Sequence, residues 1–515
     1  MPRDRHSKEV TMLCPTRRGA WLAAVMLLFV TTAGAAESEL VDAVKSVDRA
    51  AVLELLKQRA DVNASEADGT TALYWAAERN DLETARLLVR AGANANSSSR
   101  YGISPLLLAS VNGNAALIEL LIEGGANPNG ATPEGETALM AAARTGSAPA
   151  ITALLAKGAE PNAKEDYRGQ TALMWAAAEG HVEASKVLIA GGADVAARSK
   201  SGWTALLFAA REGQMGAARV LLDAGASPSE AQAPPAGGSV SPRATVRGAP
   251  IPADGPSALV LAAGSNHYEL AAYLLDRGAD PNASQQGFTA LHQVSWLRKP
   301  GQGGNGPVPA GSGNMDSLEF VRQLVAHGAD VNARMTRRAR TGTTDFNMIG
   351  ATPIMMAART ADAPLMRLLA ELGADPFLVN VDNTTVLMAA AGLGTHSPGE
   401  DAGNDAEALE AVKVAVELGL DVNAVNKDGD TAMHGAAYKQ FPSVVQYLAE
   451  KGAKIDVWNT KNKQGWTPLR IAVGVHRGMH FRGSPPTAEA LRTVMRAAGV
   501  STEVEPEAVI SGATK

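Results

Sequence analysis

TALMWAAAEGHVEASKVLIAGGAD, residues 171–194, carries the architecture of the whole chain. The polar stretch before it, Asp166 to Gln170 with Gly169, suits a tight turn. Thr171 is placed to cap a helix, its hydroxyl accepting from an orphan N–H. Ala172, Leu173, Ala176 and Ala177 give that helix a flat face of small residues. Glu179-Gly180-His181 breaks it. Val182 to Ala190 reads as a second helix, with Val187, Leu188 and Ile189 as its apolar ridge. Gly191-Gly192 ends it, since glycine takes the left-handed conformation that a helix C-terminus favours. Ala193-Asp194 leads into the next turn. Such a hairpin cannot bury its own core; only a neighbour can cover its apolar face.

The neighbours are in the sequence. Openings of the same kind start at Thr71, Ser104, Thr137, Thr171, Thr204, Ser257, Thr289, Thr352, Thr385, Thr431 and Thr467. The first five are separated by 33, 33, 34 and 33 residues. Most units end in Gly-Ala-Asp/Asn, as at Gly92-Ala93-Asn94, Gly278-Ala279-Asp280 and Gly328-Ala329-Asp330. A fixed period of this length means a solenoid.

The unit resembles the ankyrin repeat, whose signature is T-P-L-H-x-A at a period near 33. Proline fills the second slot at Pro105, Pro353 and Pro468, and histidine the fourth at His292 and His434. The other units mostly carry Ala second and Met, Leu, Tyr or Val fourth, so the match rests on spacing, the alanine pair and the Gly-Ala-Asp ending. The resemblance covers roughly residues 38–500. It implies an all-α solenoid of helix–turn–helix units with short β-turn fingers. It also implies a concave face, lined by the turns and first helices, along which protein partners lie.

Length alone suggests about three domains, but stacking lets one elongated domain, residues 37–500, grow without a single large core. Residues 38–66 keep both helix patterns without the Thr-Ala-Leu opening and read as an N-terminal cap. Ala488 to Val500 reads as a last amphipathic helix, followed by a polar tail, 501–515. Five insertions interrupt the period, at 231–255, 299–314, 333–350, 392–405 and 473–486. Those at 299–314, 392–405 and 473–486 fall between the two helices of their units. They would lie on one edge of a solenoid, as a shared rim or as tolerated loop growth.

Residues 1–36 differ from the rest. Arg17-Arg18 precedes an apolar run, Ala20 to Val30, and Ala33-Gly34-Ala35 offers a cleavage site. The run is too short to span a membrane and reads as a secretory signal peptide, with translation starting at Met1 or Met12. The one cysteine, Cys14, would be removed with it, leaving no thiol or disulfide chemistry. The formal charge of −6 becomes about −9 in the mature chain, which argues against nucleic-acid binding. The expected product is periplasmic or extracellular, monomeric and not integral to a membrane.

Histidine is the natural place to look for chemistry. His181 and His267 open second helices, His292 and His434 fill the family's turn-bracing slot, and His327 lies near a helix C-terminus. His476 and His480, spaced i, i+4, would share a helix face as metal ligands do, but Gly478 interrupts them and no third ligand is near. No G-x-S-x-G elbow, P-loop or H-E-x-x-H occurs. Neither an enzyme nor a cofactor is expected. The alternatives are an enzyme or metal-dependent binder built from the insertions, and an intracellular adaptor. For partner binding the candidates are Trp203, Phe288 and Trp466, each directly before its opening threonine, and a basic loop of Arg334, Arg337, Arg338 and Arg340. Trp75 and Trp175, just before the alanine pair, are expected to pack between repeats.

Overall fold

The computed structural model describes residues 39–234, 255–299, 311–337, 345–395, 402–477 and 480–504, with only the backbone path described for 476–482. The signal peptide expected at 1–36, Arg338 and Arg340, the middles of all five insertions and most of the tail lie outside the described residues.

Each opening starts a short first helix, and a second helix follows it. In the quoted unit these are Ala172–Ala178 and Val182–Ala190. The Thr171 hydroxyl accepts from the Met174 N–H at 3.4 Å, and Thr71, Thr137 and Thr204 act alike at 3.3–3.4 Å. Such a cap contributes about 1 kcal/mol. Ala172, Leu173, Ala176 and Ala177 are buried, and within each compact unit of the chain successive first helices pack side by side.

The apolar ridge of the second helix is not the one expected. Ala184, Ser185 and Leu188 are buried, while Val187 and Ile189 are half-buried. Three consecutive residues span most of a helical turn and cannot share one face; positions i and i+4 can. Ser185 enters the core by donating its hydroxyl to His181 O at 2.8 Å. Gly192 has φ +91 and nothing within 4 Å of a Cβ built on it, so its backbone conformation, not lack of space, requires glycine.

The chain divides into two compact units, residues 1–167 and 168–515. A solenoid has no long-range contacts to bind distant repeats into one body. The first unit holds helix 39–45, helix Arg49–Lys57 and three repeats. The second holds eight repeats, ending with first helix Pro468–Val473 and second helix Pro485–Ala497. Between those last two, strands Val475–Arg477 and His480–Arg482 form an antiparallel hairpin. His476 pairs with Phe481 and His480 with Arg477, so the helical i, i+4 spacing considered for a metal site does not exist.

Two ladders join repeats within each unit. Each turn projects as a finger, and the fingers bond to one another: Arg100 N–H donates to Asp68 O at 2.7 Å, and Lys463 N–H to Asp428 O at 2.7 Å. The second ladder is made of asparagine side chains. Asn129 Nδ2 donates to Gly158 O at 3.0 Å, and its Oδ1 accepts from Glu160 N–H at 2.8 Å. Asn63, Asn96, Asn282, Asn332 and Asn423 bridge to the following repeat in the same two-bond way. Ala196 occupies this slot in the quoted unit. Asn129→Ala should cost about 1–2 kcal/mol by removing two hydrogen bonds. Ala196→Asn should add up to about 1 kcal/mol by completing the ladder toward Gly225 and Ser227. Urea midpoints that moved with neither change would show the bridges to be idle.

Candidate functional site

Three slots of a repeat meet on the first-helix face: the residue before the opening threonine and those four and seven places after it. Direct contacts establish this. Trp203 lies against Phe208 with ring centroids 5.1 Å apart, and Arg211 stacks over both rings at 4.9 and 5.5 Å. Phe288 meets Trp296 edge-on at 5.0 Å. In the first unit Arg144 pairs with Glu136 at 3.2 Å across the same slots.

The finger holds the first of these residues in place. Trp203 N–H donates to Ser199 Oγ at 3.0 Å, and its carbonyl accepts from Ser199 N–H at 2.8 Å. Trp466 is held likewise by Asn462, at 3.1 and 3.0 Å. A glycine at positive φ turns the chain just before each, Gly202 at +79 and Gly465 at +80. Trp203, Phe288 and Trp466 are all half-buried, each leaving part of the residue open. Phe208, Arg211 and Trp296 complete the face and were not singled out from the sequence. Their signal was the spacing from the threonine, which puts positions four and seven on one side of a helix.

The basic loop is divided. Arg337 lies beside the Phe288 finger: a Cβ on Gly287 would stand 2.7 Å from Arg337 Cβ, and Thr336 N–H donates to Gly287 O at 2.9 Å. Arg334 turns the other way and donates to Val379 O in the next finger. Trp75 is half-buried; its Nε1 donates to Glu66 Oε2 at 3.0 Å, and Lys45 stacks over its ring at 4.5 Å. Lys45 bonding, foremost, holds the Glu66 carboxyl below its ordinary range against the opposing effect of burial. Trp175 is also half-buried.

The histidines brace the framework. His292 Nδ1 accepts from Thr289 N–H at 3.3 Å, and its Nε2 faces Ala351 O at 3.2 Å. Burial pushes its pKa down to about 4. His434 caps Thr431 in the same way and is likewise pushed down to about 4 by burial. His267 is lowered by burial; its Nε2 meets Arg211 O at 3.1 Å and its Nδ1 accepts from Ser312 N–H at 3.0 Å. That last contact ties the far end of the 299–314 insertion to an earlier repeat.

Family models for ankyrin repeats match residues 40–132, 83–165, 112–199, 139–232 and 402–479, and a further one matches 259–297. Together they cover more than half of the chain. The chain belongs to the ankyrin repeat family. Two similar proteins extend the comparison. Alpha-latroinsectotoxin-Lt1a of Latrodectus tredecimguttatus is 29% identical over 158 residues, 30% of this chain and 9% of that protein. An ankyrin repeat and KH domain-containing protein of Caenorhabditis briggsae is 28% identical over 222 residues, 40% of this chain and 7% of that protein. The chain thus spans less than a tenth of either relative. The ankyrin matches leave residues 298–401 uncovered, where the insertions at 299–314 and 333–350 and most of that at 392–405 break the period, yet helices Ser317–Ala326, Pro353–Arg359, Ala363–Glu371 and Val386–Ala390 continue the pattern there. Ankyrin repeats serve as scaffolds for protein–protein contacts. Among the described residues no helix is long and apolar enough to cross a membrane.

Proposed function

We infer that this chain is an exported, non-catalytic ankyrin scaffold that captures a protein or peptide on the first-helix face of residues 168–515. The observation that carries the reading is the set of half-open aromatics, Trp203 and Phe288, each braced by a second ring, with Trp203 also fixed by its finger. Rigid aromatic anchors lose little entropy on binding and dominate interface energetics. Arg337, beside the Phe288 finger, adds a cation at the rim. Export rests on the apolar run and small residues of the N-terminus.

Two measurements test this reading. N-terminal sequencing of the protein recovered from the envelope should begin near Ala36 or Glu37; an intact Met1 or Met12 would instead support the intracellular adaptor. Trp203→Ala with Phe288→Ala should reduce partner capture by about tenfold or more while leaving helical circular dichroism unchanged. Capture that survives both changes but is lost on altering the outer second helices would move the partner surface to the opposite side.

A further inference from the structure

Asp81, Asn114, Ser147 and Asp362 each stand at the start of a second helix and cap it, accepting a backbone N–H three places on. His267 holds the same position before helix Tyr268–Asp276 and gives that helix no side-chain bond. Both its ring nitrogens turn to other repeats instead. Nε2 lies 3.1 Å from Arg211 O in the preceding repeat, and Nδ1 accepts from Ser312 N–H in the following one at 3.0 Å. A carbonyl only accepts, so Nε2 carries the ring's proton and Nδ1 presents its lone pair.

The segment that His267 holds is Gly311-Ser312-Gly313-Asn314, the far end of the 299–314 insertion. These four residues are exposed, whereas His267 is 7% exposed. The fit leaves no room for side chains at three positions. An added Cβ would stand 2.4 Å from His267 Nδ1 if placed on Gly213, 2.2 Å from Asn266 O on Gly311 and 2.5 Å from Glu269 Cδ on Gly313. Asn314 N–H donates to Glu269 Oε1 at 2.6 Å, and Ser312 Oγ lies 3.4 Å from Gly213 O. That last contact passes over the repeat between, although repeats of a solenoid ordinarily touch only their neighbours. Residues 311–314 thus form a strap across three consecutive repeats, with His267 at its centre.

A second proton on the ring would sit on Nδ1, where Ser312 N–H already points. Two donors would then face each other, and the acceptor that holds the strap would be gone. Ser312 Oγ, 2.9 Å from Nδ1, can turn to accept, but the amide cannot. Burial resists this proton and lowers the pKa, while the bond to Arg211 O and the charge of Glu212 favour it. Glu269 is the charged neighbour on the ring's own helix. Tyr268, pushed up to about 12 by burial, stays neutral. Helix Ala258–Gly264 and the strap itself carry no charge, and helix Ser317–Ala326 meets this corner through Phe320, stacked on Tyr268. The bond to the strap is therefore complete above the ordinary histidine value of about 6.5 and is lost as pH falls through the lowered one.

We propose that His267 is a proton-operated clasp: as the neutral ring it fastens residues 311–314 across the repeats that open at Thr204 and Ser257, and as the charged ring it releases them. Its other nitrogen holds the end of the helix that carries Arg211, which joins the strap to the Trp203–Phe208 platform. The clasp acts whether or not a partner binds that face.

Hydrogen exchange at the Ser312 amide of the full chain, corrected for the intrinsic pH dependence of exchange, tests the clasp. Protection should fall about threefold or more between about pH 7.5 and about pH 5. His267→Gln should keep its protection across that range, because its side-chain amide can donate to Arg211 O and accept Ser312 N–H without titrating. His267→Ala should lack the protection even at the upper pH. Constant protection in the wild-type chain overturns the proposal. So does an equal fall in His267→Gln, which would place the proton elsewhere, as on Glu269. Full protection of Ser312 in His267→Ala would likewise show that the ring does not hold the strap.

Discussion

Asp362→Ala is expected to destabilise the second unit by about 3–5 kcal/mol, the usual cost of breaking a buried ion pair from one side. The Asp362 carboxylate is fully buried and accepts from Arg298 Nε at 2.8 Å, while Arg298 is only 17% exposed. The same carboxylate caps helix Ala363–Glu371 by accepting from Leu365 N–H at 3.2 Å. Removing it leaves a guanidinium with Ser317 as its remaining hydrogen-bond partner among these residues and a helix without its cap. Lys299, next in sequence, reaches further, to Glu407 at 2.8 Å and Ala361 O at 3.2 Å. The damage should therefore spread across the repeats between 290 and 417. Hydrogen exchange should show it there and not in residues 39–167. Arg298→Met with Asp362→Leu should recover much of the loss, since an apolar pair can replace a buried ionic one. A single-variant cost below about 1 kcal/mol would mean the pair is solvated in solution.

Acid should weaken the second unit well before its carboxylates titrate. Unperturbed histidine titrates near 6.5, whereas His292 and His434 are pushed down to about 4 by burial. Between those values the unfolded chain binds protons that the folded chain refuses. Stability is then complete above pH 6.5, falls through the window and is lost by pH 4. Each histidine contributes roughly 3 kcal/mol over that span. The structural cause is explicit at His292: its Nδ1 accepts the Thr289 N–H, so a proton there removes the acceptor. His267 acts in the same direction through burial. The urea midpoint, followed by tryptophan fluorescence, should drop steadily from pH 7 to 4.5. His292→Gln and His434→Gln should each flatten that slope. A wild-type midpoint constant across the window would contradict the buried neutral state of both rings.

Constraints that bind a single residue type were legible in the sequence. The capping threonines, the Gly192 position at positive φ and the buried alanine pair each follow from one local requirement, and repetition made them visible. The asparagine bridges were also present, in Gly-Ala-Asn-Ala-Asn at 92–96 and Gly-Ala-Asp-Val-Asn at 328–332. The ending recurs most plainly at its first three residues, and the bridging asparagine lies two places beyond them. The Arg298–Asp362 pair and the stacking of Arg359 on Phe346 were not legible. Their partners lie 64 and 13 residues away with an insertion or a helix between, and no local pattern specifies which side chain a loop brings home. The candidate face was half legible. The Trp203 and Phe288 slot was evident, but their supporting rings and Arg211 emerge only when helical spacing is combined with the finger geometry. Arg334 was grouped by charge with residues from which its hydrogen bond to Val379 separates it.

The asparagine bridge has one more property. Asn129 reads no side chain of the repeat that follows; both its partners, Gly158 O and Glu160 N–H, are main-chain atoms. A joint of this kind is indifferent to what the next module says. Copies can be duplicated, deleted or enlarged by an insertion, and the seam closes as before so long as the glycine ending arrives in register. The array can thus lengthen and diversify by simple gene duplication, with selection free to rewrite the exposed face of each new copy independently of the stitching that holds it.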